Sequence, residues 1–249
     1  MLTMTHLSAG ERRAPLSRRQ RGLSLVELMV GITIGLFVVA AASLVVTSQL
    51  TDNRRLLLEL QVQQDLRATA DVISRELRRA GGRQLAAEGV WSEANPATAN
   101  PFGTITPTPT LPPHTEIRFD YERGIGLQPL GFRFEKSGAT GNVGVIQSHI
   151  GNGWQDLTDR STMDVITFTV TPHTPAIPDL VIPCPRLCPA GNNLCWPKLK
   201  VRAYEVAIEA RARTDDRIKR RLVSEVRLRN DEYWFDTALG LSALQPCPL

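Results

Sequence analysis

Outside its first 22 residues the chain carries no excess charge. Those residues hold five arginines (Arg12, Arg13, Arg18, Arg19, Arg21) against one acid, Glu11, which accounts for the whole formal +4. Of the 29 Lys+Arg and 25 Asp+Glu in the 249-residue sequence, the other 227 residues keep 24 of each sign. Binding to duplex nucleic acid draws on cations gathered on the folded part, so with a short basic leader set aside, that partner is not expected. Histidine is scarce too. His114, His149 and His173 read as loop and weak-strand positions with none of the Ser or Cys context of a nucleophilic triad. The GIG at Gly124 and GNG at Gly151 lack the strand-to-helix setting of phosphate-binding loops. No catalytic constellation stands out; the chain reads as a non-enzyme without a cofactor. Metal is disfavoured as well, because Cys184, Cys188 and Cys195 are spaced C-x3-C-x6-C, without the paired C-x2-C of common zinc sites or a nearby histidine.

What is present begins with a long apolar run. Residues 23–46, LSLVELMVGITIGLFVVAAASLVV, contain one ionisable group, Glu27, in 24 residues. About 20 apolar residues suffice for a helix to cross a bilayer, and the run is too long for a cleaved secretory peptide. The arginines just before it keep the N-terminus cytoplasmic and export everything after about residue 46. All four cysteines, Cys184, Cys188, Cys195 and Cys247, fall in the exported part, where an even count favours disulfides. Three pairings are open; a local bridge within 184–195 plus a long tie to Cys247 is preferred.

The apolar run passes without a breaker into a polar segment of helical period. Leu58, Val62, Leu66, Ala70, Ile73, Leu77 and Ala80 step by three or four onto one stripe. One helix over residues 23–80, of about 87 Å at 1.5 Å per residue, is expected to end at Gly81 and Gly82. Its distal stripe needs a partner, and the downstream chain supplies one. After a Pro- and Thr-rich linker at 95–113, which excludes helix and central strand, the period becomes two. Ile117, Phe119 and Tyr121, then Phe132 and Phe134, then residues 164–170 (DVITFTV), then Tyr204, Val206, Ile208 and Ala210, then Leu222, Ser224, Val226 and Leu228, read as strands. The fold class is therefore α+β: a long, partly transmembrane N-terminal helix packed on an antiparallel β-rich head at 81–249, with a disulfide region at 184–247. Two arginine-rich stretches (Arg67, Arg75, Arg78, Arg79; then Arg211, Arg213, Arg217, Lys219, Arg220, Arg221) are interleaved with acids and read as solvated, salt-bridged faces.

The junction at 21–31, RG-LSLVELMVG, resembles the processing site of type IV prepilins: a basic leader, a Gly before the cut, then an apolar helix with Glu at its fifth residue. Leu23 stands where that family usually has Phe, and Ser24 where it often has Thr. The resemblance implies cleavage between Gly22 and Leu23, N-methylation of Leu23 and an assembly role for Glu27. In that role the new α-amino group of one subunit meets Glu27 of a neighbour within a filament, so that processed subunits assemble in preference to unprocessed ones. Gly31 and Gly35 form a small-xxx-small face. RATADVISRELRRAGG at the end of the helix, DVITF in mid-chain and VRLRN at 226–230 look like a minor pilin of the PilW type. The partners this implies are prepilin peptidase, other minor pilins and the major pilin, the inner-membrane assembly platform, and the membrane itself through residues 23–46. The expected location is the inner membrane with a periplasmic head, and later the pilus. A J-type pseudopilin of type II secretion shares the leader, the helix and a large β-rich head, and is the alternative.

Overall fold

The computed structural model describes residues 22, 24–89, 100–111, 113–124, 128–138, 141–151, 153–173, 176–185, 187, 188, 191, 193–235 and 247. The chain divides into two units, residues 1–52 and 53–249.

In the first unit the helix α1, Leu25–Arg79, begins, and its apolar side chains are exposed throughout. Four of its hydroxyls are satisfied internally. Thr33, Ser43, Thr47 and Thr51 donate to the carbonyls of Met29, Val39, Ser43 and Thr47, four residues back, at 2.8 to 3.0 Å. Such back-bonding lets a polar side chain sit in hydrocarbon without an open hydrogen-bonding group. The helix is long and apolar enough to cross a membrane.

In the second unit the remainder of α1 carries the amphipathic stripe. Val62, Leu66, Ala70, Ile73, Leu77 and Ala80 are buried and Leu58 is half-buried, all in one core with Ile117, Phe132, Phe168 and Ile208 from the strands. Full burial of an aliphatic side chain contributes about 1.5–3 kcal/mol, so Val62, Leu66, Ile73 and Leu77 hold this part of the helix far more firmly than propensity would. The helix ends on Gly81, whose φ of 72° is the left-handed conformation glycine adopts without strain.

Five strands form an antiparallel meander: β1 (Thr106–Thr108), β2 (Glu116–Phe119), β3 (Leu130–Glu135), β4 (Val145–Ile150) and β5 (Gly153–Asp156), paired in that order. A second sheet pairs β6 (Met163–Pro172), β9 (Ala203–Ala212) and β10 (Lys219–Arg227) in the order β10-β9-β6. A small third sheet holds β7 (Leu180–Val181), β8 (Lys198–Lys200) and β11 (Glu232–Trp234) in the order β11-β8-β7. In the second sheet Phe168 and Leu222 both pair with Ile208, and Val170 and Ser224 with Val206, which brings one side of each strand to the core. A register shift between Val165 and Thr167 preserves that inward face along β6.

The segment expected to be a linker contributes an edge strand: within 95–113, β1 pairs with β2 through Pro107 opposite Ile117. Proline is tolerated there because an edge strand needs no donor on its open side. Residues 95–99 and 112 lie outside the described residues.

The first two sheets meet at Gly144. A Cβ there would lie 1.9 Å from the Val165 carbonyl oxygen, and Val165 N–H donates to the Gly144 carbonyl at 2.8 Å. Only a residue without a side chain permits this approach.

Candidate functional site

The segment around Gly22 is built from the start of α1. Gly22 is exposed, with nothing within 4 Å of where a side chain would begin. Ser24 precedes the helix and its carbonyl accepts the Leu28 N–H at 3.0 Å, the position of an N-cap. Glu27 is the third helical residue, in the first turn, where the helix dipole favours an acid. Ser24 and Glu27 also have the spacing of a capping box, in which the Glu side chain reaches back to the cap residue. Neither of the two reciprocal bonds forms here. The Glu27 carboxylate has no hydrogen-bond or ion-pair partner among the described residues, and it is flanked by exposed Val26, Leu28 and Val30. A lone carboxylate on an apolar surface is costly wherever water is withdrawn, and a cation brought to it from outside the chain removes that cost. Leu23 and the leader residues 1–21 lie outside the described residues.

In the head, Cys188 is bonded to Cys195 and Cys184 to Cys247, with Cα separations of 5.6 and 5.7 Å. The second bond sits beside half-buried Trp196. It fixes residue 247 against a proline-rich loop that has little core of its own.

The arginines divide into two kinds. Arg220 reaches from β10 to Glu59 of α1 at 2.6 Å, and Arg55 pairs with the same Glu59 at 3.5 Å. These fit the reading of salt-bridged faces. Arg211 departs from it. Its Nε and Nη2 donate to Oδ2 of Asp164 at 2.9 and 2.7 Å, while Gly144 N–H donates to Oδ1 at 2.7 Å, and Asp164 is only 2% exposed. Burial raises the Asp164 carboxyl, but the Gly144 and Arg211 bonds and the charges of Lys136 and Arg211 together lower it further, leaving it below the ordinary carboxylate value.

The end of α1 is closed by side chains that the sequence reading had not singled out. Asn230 Nδ2 donates to the carbonyls of Arg79 and Ala80, both at 3.1 Å, and Asn100 Nδ2 to that of Gly81 at 2.7 Å. Arg202, buried, donates to the carbonyls of Gly103 at 2.5 Å and Asn230 at 3.0 Å. Beside this cap Tyr121 donates its hydroxyl to Glu76 at 2.9 Å, under the Arg79 guanidinium, 4.3 Å from the ring centroid. Burial first, and then the Glu76 carboxylate, push the Tyr121 hydroxyl above its ordinary value.

His114, His149 and His173 remain apart. His114 meets the Pro109 carbonyl at 2.6 Å, His149 the Pro129 carbonyl at 2.8 Å, and His173 the Glu225 carboxylate at 3.2 Å. None of the three is joined to a hydroxyl or thiol nucleophile among the described residues.

Two comparisons bear on this arrangement. A family model described as the prokaryotic N-terminal methylation motif matches residues 17–43. Another, described as prepilin peptidase-dependent protein B, matches residues 55–228. No curated protein and no solved structure matches the chain.

Proposed function

The chain belongs to the prepilin peptidase-dependent protein B family and is type IV prepilin-like, and on that premise we propose that it works as a minor pilin of the PilW type, a structural subunit that helps to start or cap pilus assembly. The observation that carries the reading is the Glu27 carboxylate, unpaired among the described residues, in an otherwise apolar helix start, the fifth residue after the bond that follows Gly22.

Hydrolysis of the Gly22–Leu23 amide by prepilin peptidase removes the leader with its five arginines and leaves a cationic α-amino group on Leu23, which is then methylated. Open backbone at Gly22 suits a protease that must hold the chain extended. Residues 23–46 serve as a single-pass inner-membrane anchor, the head faces the periplasm, and the assembly platform passes the subunit to the filament. There the α-amino group of one subunit and Glu27 of the next neutralise each other. An unprocessed chain has no such cation at residue 23, so Glu27 stays unpaired and incorporation is disfavoured. Cleavage in this way licenses assembly.

Replacing Glu27 tests the mechanism. Glu27→Ala removes the single charge of the apolar run, so membrane insertion should be as good as in wild type or better. Incorporation beside a neighbour's amino group should fail, because that cation is then buried alone, a loss of about 3–5 kcal/mol for a fully buried pair. Glu27→Gln keeps the shape and should behave like Glu27→Ala. The readouts are membrane-fraction abundance, recovery in sheared pili with the other minor pilins, and intact mass, which should correspond to a chain beginning at methylated Leu23. Normal pilus incorporation of both variants, or a pilus-borne chain retaining its leader, refutes the reading.

A further inference from the structure

We propose that the C-terminal end of α1 and the turn after β10 form a docking surface for an acidic segment of a partner protein. Two adjoining clefts of about 560 and 580 Å³ share Arg78 and Arg229 in their walls. The first adds Arg79 and Arg83 and the second Arg227, against one acid in each, Glu122 and Glu225. Five cations thus face two acids, in a chain whose residues beyond the leader balance 24 against 24.

Some of these cations have a local reason to be there. Arg79 pairs with Glu76 at 3.6 Å and Arg227 with Asp231 at 3.4 Å, and the negative end of the helix dipole favours arginine in the last turn. No carboxylate among the described residues accounts for Arg229, which lies outside the helix but against its negative end. Its guanidinium and that of Arg78 meet no carboxylate among the described residues, and both residues are exposed. The fold nevertheless fixes the two together, since Arg229 N–H donates to the Arg78 carbonyl at 3.1 Å, next to the Asn230 cap. Like charges held in the walls of the same clefts repel, and an arriving anion reverses the sign of that interaction.

The anion that fits is a peptide bearing several carboxylates. Binding of single-stranded nucleic acid relies on open aromatic faces for base stacking. Tyr121, the aromatic residue lining the first cleft, already has the Arg79 and Arg123 guanidiniums over its ring at 4.3 and 5.3 Å and its hydroxyl on Glu76. A free phosphate or sulfate is far smaller than two joined clefts of this size. An extended acidic peptide spans both, and guanidinium forks match carboxylates in geometry.

The test uses the chain purified from membranes in non-ionic micelles, with a fluorescent, photo-crosslinkable hexaglutamate peptide and a hexaglutamine control. Two double variants carry the same change in net charge: Arg78→Glu with Arg229→Glu in the clefts, and Arg67→Glu with Arg75→Glu on exposed positions elsewhere on α1. Hexaglutamate should bind in preference to hexaglutamine, crosslink near residues 78–84 and 225–230, and lose affinity by about tenfold or more in the cleft variant but less than about twofold in the other. Arg78→Gln with Arg229→Gln, gentler on folding, should weaken binding by about threefold or more. Equal losses in the two double variants, no preference over hexaglutamine, displacement by millimolar phosphate, or tighter binding of a single-stranded oligonucleotide through the same arginines would each overturn the proposal. The comparison holds whether or not the leader is retained, because both variants share it. Intact mass reports on leader processing separately.

Discussion

Asp164 gives the sharpest test of how the head is held together. Its carboxylate binds the Gly144 N–H at 2.7 Å and the Arg211 guanidinium at 2.9 and 2.7 Å, at the point where the meander meets the second sheet. In Asp164→Ala the Gly144 N–H is left without an acceptor in a buried site, which costs about 1–3 kcal/mol. Arg211 loses its main partner, but its side chain is 33% exposed and also reaches Asp216 at 3.4 Å, so it recovers part of its solvation. The loss at that end therefore falls short of the 3–5 kcal/mol of a fully buried pair, and about 3 kcal/mol in all is expected. For a domain of this size that lowers Tm by about 6–12 °C. Asp164→Asn keeps an acceptor for Gly144 and should fall between the two.

The pH dependence follows from the same contacts. The folded carboxyl titrates below its ordinary value, so its contribution is present in full above about pH 4, where the unfolded carboxyl is ionised, and is lost as pH falls through the folded value. Thermal unfolding of the wild type and Asp164→Ala in non-ionic micelles, followed by near-ultraviolet circular dichroism, should show a gap that is constant from neutral pH to about pH 5 and narrows in stronger acid. A loss below about 1 kcal/mol at neutral pH, the size of an exposed ion pair, would show that Asp164 and Arg211 form an ordinary surface pair, and a gap that persists unchanged in acid would show that the Asp164 charge contributes nothing.

Gly144→Ala should be at least as damaging as Asp164→Ala by the same thermal assay, since its Cβ would meet the Val165 carbonyl at 1.9 Å and the two sheets would have to separate. Asn230→Ala should cost about 1–2 kcal/mol, because it uncaps the carbonyls of Arg79 and Ala80 together, and amide exchange should quicken first in the last turn of α1. Thiol alkylation without reductant should find no free cysteine in protein from the native envelope. Removing the Cys184–Cys247 bond, with its separation of 63 residues, should cost about 4 kcal/mol against about 2 for Cys188–Cys195, with a separation of 7.

The parts of this molecule that were legible in the sequence are those encoded locally. The stripe from Val62 to Ala80 needs only a period of three and four residues, and the alternation at Tyr204–Ala210 and Ile117–Tyr121 only a period of two. The prepilin-type motif at 17–43 was visible for the same reason: a leader, a glycine and a lone acid lie within a few residues. The Asp164–Arg211 pair was not visible, because 47 residues separate its members and nothing at either position marks it as buried. Arg211 taken alone looks like any arginine beside an aspartate-rich turn. The cap on α1 was hidden similarly, since Asn230 lies 150 and 151 residues from the carbonyls it closes. β7, β8 and β11 are two or three residues long and too short to show a period, and β4 (VIQSHI) mixes polar residues into a strand whose inward side is clear only when β3 and β5 lie beside it.

Unpaired charge on a protein surface ordinarily needs no explanation. Asp52, Asp71 and Glu205 have no ion-pair partner within 4 Å among the described residues and are exposed to water, where a lone carboxylate is stable. Glu27, Arg78 and Arg229 differ in setting. Glu27 lies on the part of the helix with the least affinity for water, so anchoring in lipid or packing in a filament, as proposed above, would withdraw its solvent at a cost that an external cation offsets. Arg78 and Arg229 are joined through one backbone bond and both line the shared clefts, so an external anion bound there meets two guanidiniums at once. At several places the head pairs its charges internally, as at Glu59, Asp164 and Asp231. Glu27 and the clefts around Arg78 and Arg229 have opposite sign and different geometry. One is a single carboxylate matched to a single amino group, and the other an open cationic surface matched to an extended acidic chain. They therefore point to two separate intermolecular contacts, and a Glu27 variant that abolishes pilus incorporation should leave hexaglutamate binding at Arg78 and Arg229 unchanged.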